Sequence, residues 1–412
     1  MSAAMVAGTE RRAGDVAFVR RKPAPALPPP MMTTGPVGWL RANLFSSVLN
    51  AILTALAVLL ILWMVPPIVK FLLIDAVWTG SDREACLATD ARPHVGACWP
   101  FIRERFAYFI YGSYPISERW RVDGFFMLLA FSTAWLLWLD APRRGLGALN
   151  FFVVLPVASF VLLSGAPFLG LATVDTSLWG GMMVTIVVAA VGIVASLPLG
   201  IVLALGRRSR MPAVRLLSVM FIEFVRGVPL ITVLFMASVM LPLFVPPSWS
   251  PDKLLRALVG VALFSSAYMA EVVRAGLQAI PRGQYEAAGA LGLRYWQVMS
   301  LVVLPQALRI TIPNILNSYV ALFKDTTLVF IVGIFDFLKT IEVSRADPKW
   351  ATPATNATGY AFALLVYLVI CYSMSLYANR LERRLGAMEP RRGRARRARV
   401  VRFNAGSPAG GP

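Results

Sequence analysis

The stretch EAAGALGLRYWQVMSLVVLP, Glu286 to Pro305, decides how the chain is read. It sets a short polar helix former, a glycine and an amphipathic run among segments that are otherwise oily. Glu286, Ala287 and Ala288 favour a helix, and the paired alanines present a thin face that a partner surface can approach closely. Gly292 tolerates positive φ and predicts a helix stop. Arg294 onward starts a second helix, whose Trp296, Val298, Leu301 and Leu304 are spaced to rest on an apolar body. Pro305 then stiffens the entry to the next segment. Residues 279–305 therefore predict a short lever between two membrane helices, hinged at Gly292. Glu-Ala-Ala alone suits a plain amphipathic connector at a membrane surface better.

Composition supports the membrane setting. The 412 residues are 58% hydrophobic and 15% charged, against about 45–50% and about 25% for soluble domains. Apolar runs near 45–66, 124–140, 148–167, 178–205, 214–245, 255–276, 307–338 and 358–378 predict about eight membrane helices, since about 20 residues cross a bilayer. The fold expected is all-α and polytopic. The net charge of +19 lies in short loops and at the two ends. Arg143 and Arg144, the group Arg207, Arg208, Arg210 and Arg215, and the arginines after residue 382 mark inside loops. The loop of about 67–123 balances seven basic against seven acidic residues, as expected outside. Both termini and the 279–305 segment then face the cytoplasm. Residues 1–43, polar and proline-rich, predict a disordered cytoplasmic arm. The basic tail 381–412 has Phe403 as its one aromatic, which favours membrane lipid over nucleic acid as its partner.

Enzyme chemistry finds little support. His94 is the one histidine, and neither it nor Cys86, Cys98 and Cys371 falls in a metal-ligand spacing. There is no phosphate loop and no nucleophile elbow. No metal site, no bound cofactor and no catalytic residue is predicted. Cys86 and Cys98 share the outside loop and are either a disulfide or two free thiols. A stand-alone ion-coupled transporter or channel is the competing class, but no internal repeat is visible.

The full spacing narrows the reading. EAA, three residues, Gly292, nine residues and then Val302-Val303-Leu304-Pro305 resembles the EAA signature of permease subunits of bacterial ABC importers, with Val302 where isoleucine is usual. The stretches FIEFVRGVPLITVLF (221–235), SSAYMAEVVRAGLQAIPRGQYEAAGALGL (265–293) and ALFKDTTLVFIVGIFD (321–336) look like the polar amino-acid branch of type I permeases. SDREAC (81–86) and GACWPFI (96–102) add a likeness to the larger permeases of general L-amino-acid transporters. The resemblance implies a five-helix type I core over 178–380, preceded by a three-span extension over 44–177. It implies that Glu286, Ala287, Ala288 and Gly292 dock on a cytoplasmic ABC ATPase dimer, which uses the ATP. It also implies a second permease subunit, related or identical, a periplasmic amino-acid-binding protein, and a place in the bacterial inner membrane.

Charges within the apolar runs stand out, because ionisable groups in a bilayer are costly. Glu223 with Arg226 and Glu271 with Arg274 are spaced i, i+3 and predict two structural ion pairs, each on one helix face. Lys324, Asp325, Thr326 and Thr327 interrupt the seventh run. Asp325 or Thr326 can cap a new half-helix, whose free N–H groups attract a carboxylate. These four residues are then a substrate contact or, alternatively, a Lys–Asp pair that kinks the helix.

Overall fold

The computed structural model describes residues 35–90, 92–138, 143–246 and 251–387. The arm before residue 35, the tail after residue 387 and the readings placed on them lie outside the described residues. The described residues are helical, with isolated bridge pairs and no sheet. Seven helices are long and apolar enough to cross a membrane, and a bent pair adds an eighth candidate.

The described residues up to Lys70 form a unit by themselves. In it α1 (Gly35–Asn43) and α2 (Val48–Val69) meet at an elbow, where the Thr54 hydroxyl donates to Leu44 O at 2.9 Å. The Ser47 hydroxyl caps α2 by accepting from Asn50 N. No side chain of α2 is buried. A helix apolar on every side is stable only in hydrocarbon or in a core.

The second unit begins at Phe71. The sequence predicts an outside loop over its first part, and the structure instead folds much of it. The disulfide between Cys86 and Cys98, with Cα atoms 5.8 Å apart, closes a loop held by Val77 N to Ala97 O (2.8 Å) and Trp99 N to Val77 O (3.0 Å). Helix α3 (Trp99–Tyr111) follows, with Pro100 in its first turn where no amide partner is lost. Phe101 and Phe109 of α3 are fully buried, and Trp350, also fully buried, packs against Phe101. Next come α4 (Arg119–Leu137), α5 (Arg144–Leu149) and α6 (Leu155–Ser164), the last two joined by one π-helical turn.

The C-terminal bundle is built on α7 (Gly181–Arg207). Ala189, Gly192, Ser196, Gly200 and Ala204 recur three or four residues apart along it, and all are buried. This stripe of small residues lets backbones approach closely, the usual basis of helix pairing in membranes. A Cβ on Gly200 would stand 2.8 Å from the Met269 Cβ. Among the neighbours of α7 are α8 (Pro212–Gly227) and, over the largest contact, α11 (Lys253–Ala279). The run at 214–245 is not one straight span. It bends by 107° between α8 and the stretch Leu230–Phe244, which comprises α9 (Leu230–Phe235), a π turn and α10 (Leu241–Phe244). Val228-Pro229 makes the corner, because proline removes an amide and pushes the residue before it to extended backbone.

After the short α12 (Arg282–Ala290), the chain forms one continuous helix from Tyr295 to Val332. It comprises α13 (Tyr295–Gln297), a π segment, α14 (Leu304–Asp325) and a 3₁₀ stretch over Thr326–Val332. Two expectations change here. The second helix expected from Arg294 and the span expected after Pro305 are one helix, because the π turns over Val298–Val303 relieve the missing proline amide. No new half-helix starts at Asp325 or Thr326. Both keep right-handed helical backbone, and the Thr326 hydroxyl donates backward to Phe323 O at 2.8 Å. Helices α15 (Phe337–Ser344) and α16 (Pro353–Ala387) complete the bundle.

Candidate functional site

Helix α12 carries the Glu-Ala-Ala turn of the quoted stretch. It ends as local chemistry requires. Gly292 takes φ +75°, and Leu293 N donates to Ala288 O at 3.3 Å, the six-to-one bond of a Schellman stop. A residue with a side chain costs about 1–2 kcal/mol in this conformation. The paired alanines divide their work. Ala288 is 3% exposed and packs inward, while Glu286 and Ala287 face out with Gly289, Ala290 and Leu291.

Few bonds hold α12. The Tyr285 hydroxyl donates to Leu277 O at 3.3 Å and accepts from Arg208 Nη1 at 3.1 Å, and the Arg208 guanidinium lies over the Tyr285 ring. Gln306 Nε2 donates to Gln284 Oε1 at 3.2 Å, which ties the helix to α14. Sequence reasoning misses Arg208, Tyr285, Gln284 and Gln306 as site residues. The one signal is the Arg207-Arg208 pair at the end of a span, which reads as topology alone.

Beside α12 lies a cluster of charges joining α7, α8 and α11. Glu271 accepts from Arg274 Nη2 (2.6 Å) and Nε (2.9 Å) and from Arg207 Nη1 (3.0 Å). Arg226 reaches the same carboxylate at 3.8 Å, and Arg207 also bonds Glu223 at 2.8 Å. The expected Glu271–Arg274 pair therefore forms. The expected Glu223–Arg226 pair does not. Each of those residues turns to a neighbouring helix, because Arg207 and Glu271 together offer a three-helix junction that one helix face lacks.

A cavity of about 230 Å³ sits between α7, α11 and α14. Its polar lining is Ser196, Ser265, Tyr268, Ser318, Tyr319 and Asp325. Of the four residues predicted there, Asp325 alone lines it. Thr326 is buried, Thr327 donates to Lys324 O at 3.0 Å, and Lys324 is exposed. The Lys324–Asp325 pair is not formed among the described residues, since adjacent residues on a helix do not face each other. Among the described residues, the hydroxyls of Ser265 and Tyr319 meet no partner at hydrogen-bond geometry. Their signal in the sequence is weak, a serine and a tyrosine among apolar residues.

Residues 196–387, which include α12, the charge cluster and this cavity, match the family model described as the inner membrane component of binding-protein-dependent transport systems. An inner membrane amino-acid ABC transporter permease of Escherichia coli, YhdY, is 50% identical over 84% of this chain and 92% of its own. The chain belongs to the amino-acid permeases of ABC transport systems. The permease is also 40% identical to BztC of Rhodobacter capsulatus, a glutamate/glutamine/aspartate/asparagine transport system permease, over 90% of this chain and 98% of that one. The shorter glutamate/aspartate import permease GltK of Escherichia coli is 34% identical over 50% of this chain and 91% of its own. The permease is thus a multi-pass inner-membrane transport subunit of the type I, polar amino-acid kind.

Proposed function

We propose that the permease imports acidic amino acids and their amides, driven by a separate cytoplasmic ATPase dimer that grips α12. The relatives named for glutamate, glutamine, aspartate and asparagine support the substrate class. The observation that carries the drive mechanism is α12 itself. It is a nine-residue helix with an outward face of Glu286, Ala287 and Gly289, ended by a glycine stop and seated through Ala288 and a few polar bonds. Such a knob moves as one body when pushed. Its ties at Tyr285 and Gln284 lead to α7, α11 and α14, the helices around the 230 Å³ cavity. A push on α12 is thereby delivered to the walls of that cavity, where Asp325 and the hydroxyl groups offer partners for a zwitterion. In this reading the α12 end and both termini face the cytoplasm. The disulfide end faces the periplasm, where a binding protein delivers substrate to a pair of permease subunits, related or identical.

The test is Gly292→Pro. Proline is fixed near φ −65° and cannot adopt the +75° seen here. The variant is expected to reach the membrane at the normal level, to lose co-purification of the ATPase and to import L-glutamate at background rate. Wild-type uptake by this variant would contradict the reading.

A further inference from the structure

A second cavity, of about 140 Å³, lies at the disulfide end between the extension and the bundle. One wall is Tyr108, Gly112 and Ser113, at the end of α3. The opposite walls are the segment before α7, the start of α11 and the turn before α15. Its volume far exceeds the roughly 10–15 Å³ that a single buried water needs. It therefore has room for several waters or for one small polar molecule.

Its lining offers both signs of charge. Gly333, at φ +71°, turns the chain where the Lys253 side chain crosses it, and a Cβ there would stand 2.8 Å from the Lys253 Nζ. Among the described residues, the Lys253 ammonium has no hydrogen-bond or ion-pair partner. Asp252 uses Oδ2 to cap Leu254 N at 2.9 Å, which leaves its other carboxylate oxygen for a cation. Ser113 and Ser177 add hydroxyls from opposite walls, and Trp179 and Phe335 add apolar rings. A free amino acid presents a carboxylate, an ammonium and a short carbon chain, and this lining has a partner for each.

We infer that this cavity is an outer amino-acid site, occupied before the substrate enters the 230 Å³ cavity. Lys253 holds the carboxylate and Asp252 the ammonium, with the extension supplying the wall that closes the site. The inference rests on the import reading above, and the experiment separates the two. Ser113→Cys or, on the opposite wall, Ser177→Cys is introduced into the full transporter in spheroplasts. Cys86 and Cys98 are bonded to each other and Cys371 lies within α16, so the new thiol is the main outside target. Its rate of modification by a membrane-impermeant maleimide is followed against L-glutamate, with inorganic phosphate as the anion control. L-glutamate uptake is measured in the same preparation.

The expected result is labelling that slows as L-glutamate rises and does not respond to phosphate. Adding Lys253→Met should abolish protection and raise the KM for L-glutamate by about tenfold at unchanged maximal rate, the loss of one charge-assisted contact. Uptake without protection overturns the outer site and leaves the import reading standing. Equal protection by phosphate, or protection that survives Lys253→Met, also overturns it. Protection without ATP-dependent uptake supports the site and removes the import reading instead.

Discussion

The two ends of the permease are held together by different physics. At the α12 end Ala288 packs into an aliphatic cluster with Leu277, Val298 and Met299, and the ties at its edge are polar, namely Tyr285 with Arg208, Gln284 with Gln306, and the Glu271 cluster. Leu291 is 80% and Trp296 68% exposed there. At the disulfide end a covalent bond, the fully buried Trp350 and Phe101, and α3 packed on α15 and α16 hold the structure. Polar contacts exchange partners over short distances, whereas close-packed aromatic surfaces have one good arrangement. In the proposed reading the α12 end moves and the disulfide end stays.

The charge cluster gives the sharpest challenge to this contrast. In Glu271→Ala, Arg207, Arg226 and Arg274 lose their shared carboxylate, and each hydrogen bond to a charged group contributes about 1.5–3 kcal/mol. The purified variant should melt well below wild type, and coupling of ATP hydrolysis to uptake should fall with it. A variant with wild-type stability and coupling would mean that the three-helix junction is incidental. Next in size is the disulfide. Its sequence separation of 12 predicts a loss of about 3 kcal/mol in Cys86→Ser, by loop-closure entropy. That loss should appear in the melting temperature, while ATPase binding stays unchanged. Weakened ATPase binding would show that the two ends are not independent.

Asp336 supplies a smaller effect of opposite sign. It caps α15 by accepting from Leu338 N and Lys339 N, yet burial pushes its carboxyl up to about 6. An unfolded aspartate releases its proton near a pH of about 3.9. The folded protein therefore binds more protons across the window from about pH 4 to 6, and stability falls as pH rises through it. Asn keeps a capping oxygen and has no charge to bury. Asp336→Asn should match wild type near pH 4 and exceed it above pH 7 by about 2–3 kcal/mol, since each tenfold gain in proton affinity is worth about 1.4 kcal/mol. Melting curves at the two pH values check this, and parallel curves would refute it.

The same contrast explains what can be read from the chain. Gly292 and the Glu-Ala-Ala turn are legible because a helix stop is set by residues within a few positions of each other. The small-residue stripe of α7 is legible as apolar length, but its partner is not. The disulfide end is hidden because its bonds are long-range. Cys98 N donates to the Thr358 hydroxyl across 260 residues, and Lys349 meets Glu104 across 245. That last bond, with burial opposing it, holds the Glu104 carboxyl below its ordinary value. Asp325 is found at the cavity because an acid in an apolar run is conspicuous. Ser196, Ser265 and Tyr319 escape notice because hydroxyl residues in membrane helices commonly bond their own backbone. Glu223 and Arg226 are mispaired in the sequence because helix spacing considers one helix, and their partners lie on two others.

The central claim is that α12 projects into the cytoplasm and meets the ATPase there. Glu286→Cys, on its exposed face, tests it with one membrane-impermeant maleimide. Labelling is expected in inside-out vesicles stripped of ATPase, with protection when ATPase is added back and none in intact cells. Rapid labelling of the Glu286→Cys thiol in intact cells would place α12 on the opposite side of the membrane and contradict the account.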